Sequence, residues 1–151
     1  MASDRYLRHA ELSDALHALV AAHPDLFSIR SIGTSFEGRD LWLVTATRFS
    51  TGAADDKPAL WVDGNIHATE VAGSMACLHF LEHLACRDGA DADVTRVLDT
   101  RAFFVAPRLN PDGAEWALAD VPKLFLSSTR PYPYDEGPVG GLSRGDIDGD
   151  G

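Results

Sequence analysis

Trp61-Val62-Asp63-Gly64-Asn65-Ile66-His67-Ala68-Thr69-Glu70 joins two kinds of pattern. The run from Ala59 to Val62 is short, apolar and bounded by turn residues, which suits a central strand buried on both faces. Gly64-Asn65 breaks the run. His67 and Glu70 then stand three residues apart, where a helical pattern begins, and that spacing brings both side chains to one side. An imidazole nitrogen with a carboxylate is a donor pair that suits zinc, whose catalytic sites keep one position open. A plainer role competes with it: Glu70 favouring a helix dipole and His67 serving as a loop residue. Position bears on the choice, because open α/β sheets bind ligands outside the carboxyl ends of their strands.

Beyond Glu70, Val71 to Cys86 is apolar nearly all round, with Gly73, Ser74 and Ala76 as small positions, and reads as a helix packed against something large. It contains a second cluster. His79-Phe80-Leu81-Glu82-His83 spells the H-x-x-E-H pattern of inverzincin peptidases, whose two histidines at i and i+4 bind zinc. However, positions 79, 82, 83 and 86 also make the one mostly polar stripe of this helix, which is the pattern of a solvated face. Cys77 and Cys86 are separated by about 900° of helical rotation, so they face opposite sides and do not bridge.

Upstream, Leu12, Ala15, Leu16, Leu19 and Val20 share one helical face between Ala10 and Ala22, and His23-Pro24 ends the pattern. Phe27 to Gly33 and Leu41 to Thr45 flank the turn residues of Ser35 to Asp40 and read as a hairpin. Residues 50 to 58 form a polar loop. Downstream come a short helical piece from Val94 to Leu98 and a strand from Ala102 to Ala106 that runs into Pro107-Arg108-Leu109-Asn110-Pro111-Asp112-Gly113. The order of helix, hairpin, strand, helix and strand is that of a mixed sheet with helices on it. After Trp116, Pro122, Pro131, Pro133, Pro138 and several glycines mark a long irregular segment reaching Gly151 with no closing element, so the chain reads as unfinished.

The composition is globular and acidic. With 151 residues, 45% of them hydrophobic, the chain has the size of one domain. A net charge of -10 argues against nucleic acid or an anionic membrane as partner. No run approaches the ~20 apolar residues of a membrane span, and Met1 to Arg8 lacks a signal-peptide core, so a cytoplasmic location is expected.

Three segments together resemble a known family. Gly64-Asn65-Ile66-His67-Ala68-Thr69-Glu70 resembles the zinc-ligand motif of the M14 metallocarboxypeptidases, the carboxypeptidase A-like family. Ile32-Gly33-Thr34-Ser35-Phe36-Glu37-Gly38-Arg39-Asp40-Leu41 is similar to their preceding hairpin, and Pro107 to Gly113 resembles their strand-ending Asn-Pro-Asp-Gly segment. The resemblance covers about residues 10 to 118. It implies a three-layer α/β/α fold with a mixed β-sheet, of which residues 1–151 are the amino-terminal part of a single domain, apparently incomplete at its carboxyl end. It also implies Zn2+ held by His67, Glu70 and a further histidine, and a peptide or small amide as substrate. A glutamate would act as general base, and arginines would stabilise the oxyanion and hold the substrate's terminal carboxylate.

The sequence departs from the family pattern in ways that matter. No histidine follows His83, and neither the general base nor the Asn-Arg pair for the carboxylate has a counterpart, so no catalytic residue is assigned within the chain. Thr69 stands where many members have an arginine. Arg130, in Ser127-Ser128-Thr129-Arg130-Pro131, is a candidate substrate-binding arginine or a solvated loop residue. Asp146, Asp148 and Asp150 fit the first half of a D-x-D-x-D-G calcium loop, which would leave Ca2+ without the loop's later ligands. Two other functions stay open at this point. One is a non-catalytic metal- or protein-binding module on the same fold, and the other is a zinc amidohydrolase of the deacylase branch, which shares His-x-x-Glu.

Overall fold

The structure, a computed structural model, describes residues 5–123 and 126–130. Helix α1 (His9–Ala22) opens on a one-sided cap, in which the Arg8 amide donates to Glu11 Oε2 at 2.8 Å. It buries Leu12 and Leu16, and Pro24 lies just beyond its end. Strands β1 (Phe27–Thr34) and β2 (Asp40–Ala46) pair antiparallel from Phe27↔Ala46 to Thr34↔Asp40, as the turn residues between them foretell. Gly38 supplies the positive φ, 81°, of that turn.

Strand β3 (Ala59–Asp63) is followed by α2 (Ala72–Arg87), α3 (Ala92–Thr100), β4 (Ala102–Ala106) and α4 (Pro111–Ala117). The four strands lie in the order β1-β2-β4-β3, with β4 antiparallel to β2 and parallel to β3. The sheet is therefore mixed, and the α/β class expected from sequence stands. Val44, Ala46 and Val105 on the sheet form one apolar core with Leu12 and Leu16 of α1, Leu78, Leu81 and Leu84 of α2, and Leu98 of α3. No described helix is long and apolar enough to cross a membrane.

Several expectations need correction. Strand β3 is not a central strand buried on both faces: it is an edge among the described strands, and Leu60 and Trp61 are 56% and 51% exposed. Its apolar run matches a parallel-sheet interior, yet only β4 pairs with it among the described residues. The helix after it begins at Ala72, so His67 and Glu70 lie in the preceding turn and not on the helix. Helix α2, by contrast, follows the solvated-face reading of its polar stripe. Cys77, Leu78, Leu81 and Leu84 face the core, whereas His79, His83 and Cys86 are exposed. Helix α3 is longer than Val94 to Leu98 because the Asp91 side chain caps it, accepting from the amides of Asp93 and Val94.

The segments after β3 and β4 run on side by side. The Gly64 amide donates to Ala106 O at 3.1 Å, Leu109 N to Gly64 O at 3.1 Å and Asn110 N to Asn65 O at 3.0 Å. Helix α2 crosses this ladder so closely that a Cβ on Gly64 would lie 2.6 Å from the carbonyl oxygen of Gly73. Gly64→Ala is therefore expected to destabilise the chain by about 1–3 kcal/mol, or to shift the start of α2, because backbone cannot yield as a flexible side chain does. Urea unfolding of the two proteins measures it.

Candidate metal centre

The His67–Glu70 turn is assembled from the backbone outward. Asn65 adopts the left-handed conformation, φ 54°, one that asparagine tolerates better than most residues. Its side chain is buried and its Nδ2 donates to the carbonyls of His67 at 2.7 Å and Ala68 at 3.2 Å, tying the turn to its own start. The Glu70 amide donates to His67 O at 3.1 Å, closing the turn. His67 Nδ1 and Glu70 Oε2 come to 3.0 Å from each other, with both side chains about half exposed. An imidazole nitrogen and a carboxylate oxygen thus sit side by side just beyond the carboxyl end of β3, a donor set that fits zinc.

The three motifs meet at one cleft. A cavity of about 430 Å³ is lined by Ser35 and Phe36 of the hairpin turn, Ile66 and His67 of the ligand turn, Asn110 and Asp112 at the start of α4, and Ser127 and Ser128. Helix α4 is too short to show a period in the sequence, although Asn110-Pro111 carries its start signal. Asn110 Oδ1 accepts the Gly113 amide at 3.0 Å, and Pro111 takes the first turn. Asn110 Nδ2 donates to Ser127 O at 3.0 Å, and Ala68 N donates to Leu126 O at 2.9 Å, which seats residues 126–130 on the cleft.

Asp112 locks the hairpin to this floor. Its Oδ1 accepts from Ser35 Oγ at 2.7 Å and Arg39 Nη1 at 2.6 Å, and its Oδ2 accepts the Glu37 amide at 2.9 Å. Burial pushes the Asp112 pKa up, but hydrogen bonds from Ser35, the Glu37 amide and Arg39, with the charge of Arg39, outweigh it and hold the carboxyl below its usual range. Sequence patterning does not reveal this pairing, because the partners are 73 to 77 residues apart.

Arg130 is exposed, with its guanidinium 5.9 Å from the centroid of the Phe36 ring and its amide donating to Ser128 Oγ. His79, Glu82 and His83 instead line a separate open pocket of about 490 Å³ with Leu19, His23 and Cys86. Among the described residues no three His, Cys, Asp or Glu side chains are grouped to hold a metal ion, at either cluster. Asp146, Asp148 and Asp150 lie outside the described residues.

Residues 12–131 match the family described as zinc carboxypeptidase, peptidase M14. The chain belongs to that family. It is 38% identical to carboxypeptidase A2 of Rattus norvegicus over 130 residues, 86% of this chain and 30% of the relative. It is 37% identical to carboxypeptidase A1 of Homo sapiens over 103 residues, 68% of this chain and 24% of the relative. It therefore spans less than a third of the length of these relatives. Among solved structures, the crystal structure of thrombin-activatable fibrinolysis inhibitor superposes with a TM-score of 0.78 over 92% of this chain and 34% of that one, at 24% identity. The carboxypeptidase A of Helicoverpa armigera superposes with a TM-score of 0.62 over 76% of this chain and 27% of that one, at 22% identity. At such identities the structures establish the fold, which is that of the carboxypeptidases.

The Asp112 lock makes a prediction about pH. Because its folded pKa is depressed, its contribution is complete above about pH 4, the unfolded carboxylate range, and is lost as pH falls through the folded value. Asp112→Asn is expected to be less stable at pH 7 by about 1–3 kcal/mol, with the gap to the parent narrowing as pH drops below about 4. Urea unfolding of both proteins at several pH values measures the gap.

Proposed function

We propose that the chain carries the amino-terminal part of the catalytic domain of a zinc-dependent carboxypeptidase-like hydrolase, acting on the carboxyl-terminal residue of a peptide. The observation that carries this is the placement of His67 and Glu70, 3.0 Å apart at the rim of the cleft where all three family segments meet. His67 and Glu70 would hold the zinc ion. When bound, zinc supplies Lewis acidity toward a scissile carbonyl. The chain's own contribution is to fix the two donors on a turn backed by buried Asn65 and to offer a cleft beside them. Arg130, paired with no carboxylate among the described residues, would take a substrate carboxylate or a developing oxyanion in this reading, and its approach to Phe36 at the cleft supports that role. The curated relatives named above are carboxypeptidases, which favours this reading over a deacylase.

A third protein ligand and the general base have no counterpart in the 151 residues. The chain on its own is therefore expected to bind one zinc ion weakly and to release no carboxyl-terminal residue from peptides. Equilibrium dialysis tests the ligands: His67→Ala and Glu70→Gln should each abolish the saturable site, while the double change His79→Ala/His83→Ala should leave it intact. The reverse pattern would move the metal to α2. Peptidase activity that persists in His67→Ala would overturn the zinc hydrolase reading of this turn.

A further inference from the structure

Behind the ligand turn lies a buried chain of polar groups that the proposed chemistry does not use. Arg108, at the end of β4, is 3% exposed, and its Nη1 finds no hydrogen-bond partner. No carboxylate among the described residues forms an ion pair with it. Its Nη2 donates to Leu7 O at 2.9 Å, and its Nε donates to Ser74 Oγ at 3.0 Å. Ser74, fully buried on α2, donates in turn to Asn65 Oδ1 at 3.2 Å. Asn65 Nδ2 then donates to the carbonyls of His67 and Ala68.

Every link in this sequence has its donor and acceptor in the right sense. Arg108 has only donors, so it obliges Ser74 Oγ to accept, which leaves the Ser74 proton for Asn65. Asn65 Oδ1 therefore faces Ser74, and its amide group faces the turn, so the orientation of the amide is fixed by the arginine two residues away in the relay. A buried cation with an orphaned N–H is costly to keep. Fixing the His67–Glu70 turn gives it a use that packing alone does not, since an apolar side chain would fill the same space.

We infer that Arg108, Ser74 and Asn65 form a positioning relay that holds the His67–Glu70 turn in its metal-binding geometry, with Arg108 setting the direction of the hydrogen bonds. The inference rests on the zinc reading of that turn. Groups that orient metal ligands from behind contribute about 10–100-fold to affinity.

The test measures zinc affinity of the chain by competition with a chromophoric chelator, alongside urea unfolding, for Asn65→Gly, Ser74→Ala, the double variant and His67→Ala. Glycine at 65 keeps the positive φ available while removing the side chain. Asn65→Gly is expected to weaken zinc binding about tenfold, the lower end of that range. Ser74→Ala should weaken it less, and the double variant should be no weaker than Asn65→Gly, because both changes break one relay. Additive losses, or affinity unchanged in Asn65→Gly, would overturn the relay while His67→Ala still loses zinc. An undiminished His67→Ala would instead remove the zinc reading, and the relay with it. If Ser74→Ala does not fold, slower amide exchange at Glu70 in the parent than in Asn65→Gly supports the relay, and equal exchange refutes it.

Discussion

The parallel ladder that continues past β3 and β4 is the constraint on which the site depends. Gly64 bonds to both Ala106 and Leu109, and Asn65 to Asn110, so the ligand turn and the start of α4 leave the sheet in register. Two close approaches enforce that arrangement. Gly64 meets Gly73 at the start of α2, and Gly113 of α4 lies so near Ala68 that a Cβ on it would come within 2.4 Å of the Ala68 methyl. Helices with bulkier residues there would stand further off, and the cleft between the turn and α4 would open. The glycines in these two family segments thus each admit a close approach, Gly64 to the start of α2 and Gly113 to Ala68.

Hydrogen bonding supplies what close packing cannot, which is direction. Asp112 gathers three donors from the hairpin turn, and Asn65 gathers two acceptors from the ligand turn. Each side chain is buried, so each bond is made away from competing water and leaving it unmade costs more than at the surface. The cleft walls are consequently loops in sequence that are tied from within by side-chain hydrogen bonds.

What sequence alone reveals follows the range of the physics. The periodicity of Leu12, Leu16 and Leu19 marks α1, and Ala102 to Ala106 marks β4, because each pattern is set by neighbours a turn or a strand away. The hairpin is legible from Gly38 and the β-rich runs beside it. The His67 and Glu70 pair is legible as a donor set, whereas the buried partners behind it are not: Arg108 and Ser74 are 34 residues apart, and nothing local distinguishes a buried arginine from a solvated one. The environment of β3 fails for a related reason, since a strand's apolar character states what it would bury against but not whether that neighbour is there. Helix α4 was missed where local signals existed, Asn110 and Pro111, but its seven residues are too few to show a period.

The exposed side of β3 has a bearing on how the chain behaves at concentration. Leu60 and Trp61 stand more than half exposed on a strand with no partner beyond it among the described residues. Such an edge offers a row of unsatisfied backbone groups flanked by apolar side chains, a template on which another strand can add. The net charge of -10 opposes the approach of a second copy, and salt weakens that opposition. Among the described strands, the tendency of the β3 edge to add another strand is thus opposed by the overall acidity, with ionic strength as the variable that tips the balance.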